Sequence, residues 1–173
     1  MFQEEKMYNE LTAVDIKKMK EEIAYRANEL RPKLSDDVKE ARSLGDLSEN
    51  AEYRSARRAF GRNESRIRFL QKMIRTAKVI STESAPDEVG LFDKLTVLYE
   101  DTGDIEHLVI STTTRLVLDK GIISKESPFG KAVLGKKVGD RVFVKASDDY
   151  GYYVVIKEII KGEDDESIPL NGY

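Results

Sequence analysis

Two carboxylates three residues apart, Asp46 and Glu49, sit in the segment Gly45–Tyr53 (GDLSENAEY). At a helix start that gap puts both on one face. Two chemistries fit the spacing. An Asp cap with a Glu three residues later is a capping box, which satisfies the first free backbone N–H groups of a helix. A carboxylate there is also favoured by the helix dipole. The second reading is a fragment of a metal site, because Mg²⁺ is commonly held by one or two carboxylates plus waters and substrate phosphates. Two acids on an exposed turn cannot close such a site. They can complete one that a partner supplies.

A second cluster follows directly. Residues 53–78 carry nine basic side chains against one acid, Glu64, net +8, whereas residues 35–52 are net −4. Arg54, Arg58 and Arg62 form an i, i+4 ridge, and Arg57 adds to it one step away. Like charges at that spacing repel one another in an isolated helix. The ridge is either a solvated face or a contact for a nucleic-acid backbone.

The elements around these clusters are two long helices. Thr12 can cap the first, with Asp15 in its first turn. Apolar residues then recur at Ile16, Met19, Ile23, Ala27, Leu30, Leu34, Val38 and Ala41, one helical stripe. Pro32 predicts a kink or restart near Arg31–Pro32. The second helix carries a heptad seam at Tyr53, Ala56, Phe60, Asn63, Ile67, Leu70, Ile74 and Ala77, with Asn63 its polar position. The short turn at Ser43-Leu44-Gly45 makes the pair antiparallel. About thirty residues per helix give a rod of about 45 Å, too thin for a pocket, so function belongs to its tip or its sides.

The second half reads as strands. Leu95–Tyr99 and Ile105–Ile110 flank an Asp101–Asp104 turn, and Arg141–Lys145 and Tyr152–Ile160 flank a Ser147–Gly151 turn. Ser127-Pro128 starts a short helix that Gly135 closes. The sequence thus predicts an α+β chain. An antiparallel coiled-coil hairpin occupies residues 1–80, a polar linker 81–90, an antiparallel sheet domain with one short helix 91–161, and a loose acidic tail 162–173.

Composition narrows the chemistry. Among 173 residues there is no Cys and one His, His107, so thiol chemistry, disulfides and two-histidine sites are excluded. His107 has no evident base or nucleophile beside it. The glycines form no phosphate-binding fingerprint. No apolar run approaches a membrane span, and the acidic N-terminus is unlike a signal peptide, so a cytoplasmic protein is expected.

Gly45–Tyr53, at a turn between antiparallel helices, closely resembles the tip of the bacterial Gre transcript-cleavage factors, and is GreA-like. The likeness continues through Gly61, Arg66-Ile67, Leu70 and Ala77–Ile80. It resumes at Gly121–Ser124, Ser127–Ala132, Leu134–Lys136 and Val138–Asp140. The resemblance implies a coiled coil followed by an FKBP-like domain and, as partner, bacterial RNA polymerase, whose secondary channel the coiled coil enters. Asp46 and Glu49 match the acids that help the polymerase's own active site hold a second Mg²⁺ and cleave the 3′ end of backtracked nascent RNA, a two-metal hydrolysis. The implied factor is an accessory to that cleavage, monomeric when free. Arg54, Arg57, Arg58 and Arg62 match a basic patch that tracks the extruded RNA. Glu126-Ser127-Pro128 matches a segment that contacts the polymerase rim.

The sequence departs from the pattern at several places. Val14-Asp15 lies near a usual glycine, position 126 is Glu rather than Asn or Asp, and Arg115–Asp119 (RLVLD) lacks a common acidic stretch. Two further functions stay in competition: a channel-binding regulator that does not stimulate cleavage, and a peptidyl-prolyl isomerase. The second rests only on the implied fold, which does not carry function.

Overall fold

A reciprocal cap starts the first helix. In the computed structural model, which describes residues 9–43 and 50–171, the Thr12 N–H donates to Asp15 Oδ2 at 3.0 Å and the Asp15 N–H to Thr12 Oγ1 at 3.1 Å. Each side chain satisfies a backbone donor that the helix itself leaves open. Helix α1 (Ala13–Tyr25) runs into a π-helical turn (Arg26–Leu30) and then α2 (Arg31–Ser43). The restart expected at Arg31–Pro32 therefore appears just upstream. In regular winding the Pro32 ring would press on the carbonyl of Asn28, and proline offers no N–H. A wider turn, closed by the Arg31 N–H on Arg26 O, absorbs the mismatch.

Helix α3 (Ala51–Arg75) is capped by Asn50, whose Oδ1 accepts from the Tyr53 N–H at 2.9 Å. The same side chain donates through Nδ2 to Ala41 O at 2.8 Å, tying the end of α2 to the start of α3. Asn50 is thus the N-cap of α3; the capping reading of Asp46 and Glu49 lies outside the described residues. Residues Ile16–Ala77 form one compact unit, the rod. Met19, Ile67, Leu70 and Met73 are its deepest apolar side chains, and Asn63, the polar seam position, is buried with them. Asn63 is satisfied by the π turn: it donates to Arg26 O at 3.3 Å and accepts from Arg26 Nη1 at 3.2 Å. A paired polar group at one seam position fixes register.

The second unit combines the segment ending at Asp15 with the chain from Lys78 onward. Strand β1 (Glu10–Leu11) pairs in parallel with β2 (Lys78–Val79). The main sheet has strands β3 (Lys94–Tyr99), β4 (Ile105–Ser111), β5 (Ile122–Ser124), β6 (Arg141–Lys145) and β7 (Gly151–Ile160), in the order β5-β4-β3-β7-β6. Alternation places Leu95, Val97, Val142, Val144, Val154 and Ile156 on one face. Phe129 and Val133 of the short helix α4 (Pro128–Val133) join that core.

Three features differ from the sequence expectation. The sheet is antiparallel except at β4–β5, which pair in parallel through Val109–Ser111 and Ile122–Ser124. Residues 81–90 lack regular structure but pack on this unit: Val89 is buried, and Lys161 Nζ gathers Ser84 Oγ, Glu88 O and Asp93 Oδ2. The C-terminal segment is held in place. Gly162 donates to Asp93, and Asn171 donates to Thr113 O and Thr114 O.

Candidate functional site

Helix α3 presents its charge away from the seam. Arg54, Arg57, Arg58 and Arg62 are all exposed. Among the described residues no carboxylate pairs with Arg57, Arg58 or Arg62, and Arg58 Nε donates to Arg54 O at 3.2 Å. Arg68, Lys72 and Arg75 continue the exposed basic face. Other arginines of the rod are withdrawn from solvent work. Arg66, 6% exposed, makes a two-pronged pair with Glu22 at 2.9 Å in both arms, and Glu22 also receives Arg26 Nε at 2.7 Å. Arg31 grips Glu64 at 2.7 and 3.0 Å. The arrangement separates two arginine populations: one set fixes the helix pair, the other leaves a cationic ridge facing water. Such a ridge suits a phosphate backbone.

Asp46 and Glu49 lie outside the described residues. Among the described residues no group of three or more His, Asp or Glu side chains could hold a metal ion. The two tip acids therefore remain the Mg²⁺ candidates on sequence grounds alone.

Glu126, Ser127 and Pro128 come together at the N-terminus of α4. Ser127 Oγ accepts from the Gly130 N–H at 2.9 Å, and Pro128 opens the helix where its missing N–H costs nothing. Gly130 is required by a close approach, since a Cβ there would lie 2.3 Å from Ser124 O. Glu126 is partly buried between Lys125 and Lys131, at 3.5 and 3.1 Å. Burial alone would raise its carboxyl pKa, yet the two lysines together hold it below the usual range. Lys125 also pairs with Glu10 of β1.

Sequence reasoning missed the most enclosed polar centre. Arg115 is fully buried. Its Nε donates to Asp15 Oδ1 at 2.6 Å, Nη2 to Thr12 Oγ1 at 3.0 Å and to Asp164, and Nη1 to Asp165 O at 3.0 Å. The Phe92 ring lies 4.5 Å from the guanidinium carbon, and Phe92 itself adopts φ 66°. A bulky residue at positive φ is strained. The signal in the sequence was indirect: the segments Val14-Asp15 and Arg115–Asp119 are two of the places where the family pattern breaks, and Asp15 and Arg115 meet here.

Two parts of one known family match consecutive stretches of the chain. Residues 9–79 match "Transcription elongation factor, N-terminal", and residues 81–161 match "Transcription elongation factor, GreA/GreB, C-term". The chain belongs to the GreA/GreB transcription elongation factor family. Its relatives include the transcription elongation factor GreA of Thermotoga neapolitana, 37% identical over 147 residues, covering 85% of this chain and 94% of that protein. The GreA of Mesoplasma florum is 37% identical over 150 residues, covering 86% and 96%. Among solved structures, GreA factor homolog 1 of Thermus thermophilus aligns with 88% of this chain and 98% of its own at 22% identity and a TM-score of 0.38. Membership in the GreA/GreB family makes the chain an accessory factor of RNA polymerase rather than an enzyme in its own right. No helix among the described residues is long and apolar enough to cross a membrane.

Proposed function

We propose that this protein is a cytoplasmic Gre-type regulator of bacterial RNA polymerase. Its helical hairpin enters the secondary channel while the Glu126–Pro128 end of the sheet unit holds the channel rim. One observation carries the reading: in a chain matching both parts of the family, Arg57, Arg58 and Arg62 stand exposed on α3 without a carboxylate partner among the described residues. Together with Arg54 they offer the emerging 3′ segment of nascent RNA a row of cations. Contacts of this kind weaken as salt rises. Replacing Arg57, Arg58 and Arg62 by Gln should reduce crosslinking to extruded RNA and leave polymerase binding through the sheet unit intact. Unchanged crosslinking overturns the assignment.

The presence of both Asp46 and Glu49 favours a finer reading, stimulation of transcript cleavage. Within the polymerase, Mg²⁺ would supply charge stabilisation and an activated water for phosphodiester hydrolysis. The two carboxylates would complete its ligand set. A backtracked elongation complex should then shorten its RNA faster when the protein is added. Asp46→Asn and Glu49→Gln should remove the stimulation and keep binding. Binding with no acceleration by the unaltered chain selects instead a regulator that occupies the channel without cleavage.

A further inference from the structure

The segment Gly162–Asn171 lies beyond residues 81–161, which match the family, yet it is fastened at three places. Gly162 N–H donates to Asp93 Oδ1 at 3.0 Å. Arg115 binds Asp164 and Asp165 O. Asn171 donates its N–H to Thr114 O at 2.8 Å and its Nδ2 to Thr113 O at 2.9 Å. The last two anchors grip one short turn, Thr113–Arg115.

That turn is hydrogen-bonded to the α4 entrance. Thr113 Oγ1 and Ser124 Oγ share a hydrogen bond of 2.8 Å. Ser124 Oγ accepts from the Glu126 N–H at 3.1 Å, and Ser124 O accepts from the Ser127 N–H at 3.0 Å. A continuous series of hydrogen bonds therefore runs from Asn171 through Thr113 and Ser124 to Glu126. Networks of this kind hold their members more firmly than isolated bonds.

We propose that residues 162–171 form a strap that positions Glu126-Ser127-Pro128 for polymerase by fixing the Thr113–Arg115 turn. The proposal rests on the reading of Glu126–Pro128 as a polymerase contact. In it Arg115, Asp164 and Asn171 are positioning residues that touch neither RNA nor polymerase. The strap supplies order in advance, so that the contact loop loses less freedom on binding.

The test uses the full-length chain carrying Asp164→Ala and Asn171→Ala together, and a chain ending at Lys161. Four quantities are measured: hydrogen exchange at the Glu126, Ser127, Gly162 and Asn171 amides, the concentration that half-saturates core RNA polymerase, the effect on transcription at saturation, and the unfolding midpoint of the rod. Exchange should quicken about tenfold, and the half-saturating concentration should rise about three- to tenfold. The effect at saturation and the unfolding midpoint of the rod should stay unchanged. Loss of a strap of merely structural importance would also lower the effect at saturation and the unfolding midpoint, and that outcome overturns the positioning role. Release of the strap, read from faster exchange at Gly162 and Asn171, with no change at Glu126 or in affinity overturns it as well. A Glu126→Ala/Pro128→Ala chain separates the two readings. If it binds polymerase normally, the contact assignment falls and the proposal with it. If it binds weakly while the strap variants bind normally, the strap proposal alone falls.

Discussion

In the rod, Arg66 leaves 7% of its side chain exposed and pairs with a Glu22 that is 21% exposed; in the sheet unit Arg115 and Asp15 are both at 0%. The difference reflects how each unit is built. A two-helix rod has no enclosed centre, and much of its seam is only half-buried. Its helices are held in register by polar links that water still reaches: Glu22 with Arg26 and Arg66, Arg31 with Glu64, Asn63 with Arg26. The sheet unit has a closed apolar core, so a charge taken inside must be surrounded. Arg115 is surrounded, by two carboxylates, a hydroxyl, a carbonyl and an aromatic face. Rod electrostatics are therefore tolerant, and those of the sheet unit are not.

The sharpest way to break this contrast is to remove one cation from each place. Arg115→Met leaves Asp15 enclosed without its counter-charge and should cost about 3–5 kcal/mol in denaturant unfolding of the full chain. Arg66→Met should cost clearly less, because Glu22 keeps Arg26 and some water. Equal losses would dissolve the distinction. Next in size is Gly130→Ala. Its Cβ would meet Ser124 O at 2.3 Å and Lys125 Cα at 2.9 Å, both backbone atoms with little room to yield. A loss of about 1–3 kcal/mol is expected, read as a lowered melting temperature.

Acid sharpens the same comparison on the rod side. Burial opposes ionisation of Glu22, but hydrogen bonds and charge from Arg66 and Arg26 outweigh it and hold its pKa below the ordinary value. Arg31 does the same for Glu64. A depressed folded pKa contributes stability above the unfolded value of about 4.3, and that stability is lost as pH falls through the folded value. Denaturant titrations should give nearly constant stability from neutral pH down to about 5, then a fall. Glu22→Gln should flatten part of that fall; an unaltered slope would mean its arginines act only as packing. The smallest effect is a gain. Gly61 is exposed on α3 and nothing lies within 4 Å of a Cβ there, so Gly61→Ala should stabilise the rod by about 0.5–1 kcal/mol in thermal unfolding. A glycine in one unit is dispensable where its counterpart in the other is not.

Local signals in the sequence read well. The Thr12–Asp15 cap, the Asn63 seam position and the Ser127-Pro128 helix start each depend on residues within a turn or two of one another. What escaped was set by partners far away in the chain. Arg115 and Asp15 are 100 residues apart, and each alone looks like a surface charge. Arg66 reads as one more member of a basic face until Glu22, 44 positions earlier, takes it out of solvent. Strand β5 is only three residues long and owes its place to parallel pairing with β4, which leaves no hairpin pattern to detect. An acidic C-terminal segment looks unstructured because the groups that hold it, Asp93, Arg115 and the Thr113–Thr114 carbonyls, lie outside it. The candidate site divides the same way. The basic ridge is evident from spacing, but only the structure shows which arginines are already committed to Glu22 and Glu64.

The π turn at Arg26–Leu30 also works as a phase adjuster. Each residue of a regular helix advances its side chains by about 100°, so one surplus residue swings everything before it around the axis by that amount. The wide turn under-rotates by nearly that amount and so cancels the surplus. Deleting one residue between 26 and 30 would leave a regular helix whose Met19 and Glu22 still point at α3, whereas straightening the turn without a deletion would swing them away. Evolution can lengthen or shorten this rod in whole turns, or by one residue where it removes the irregularity.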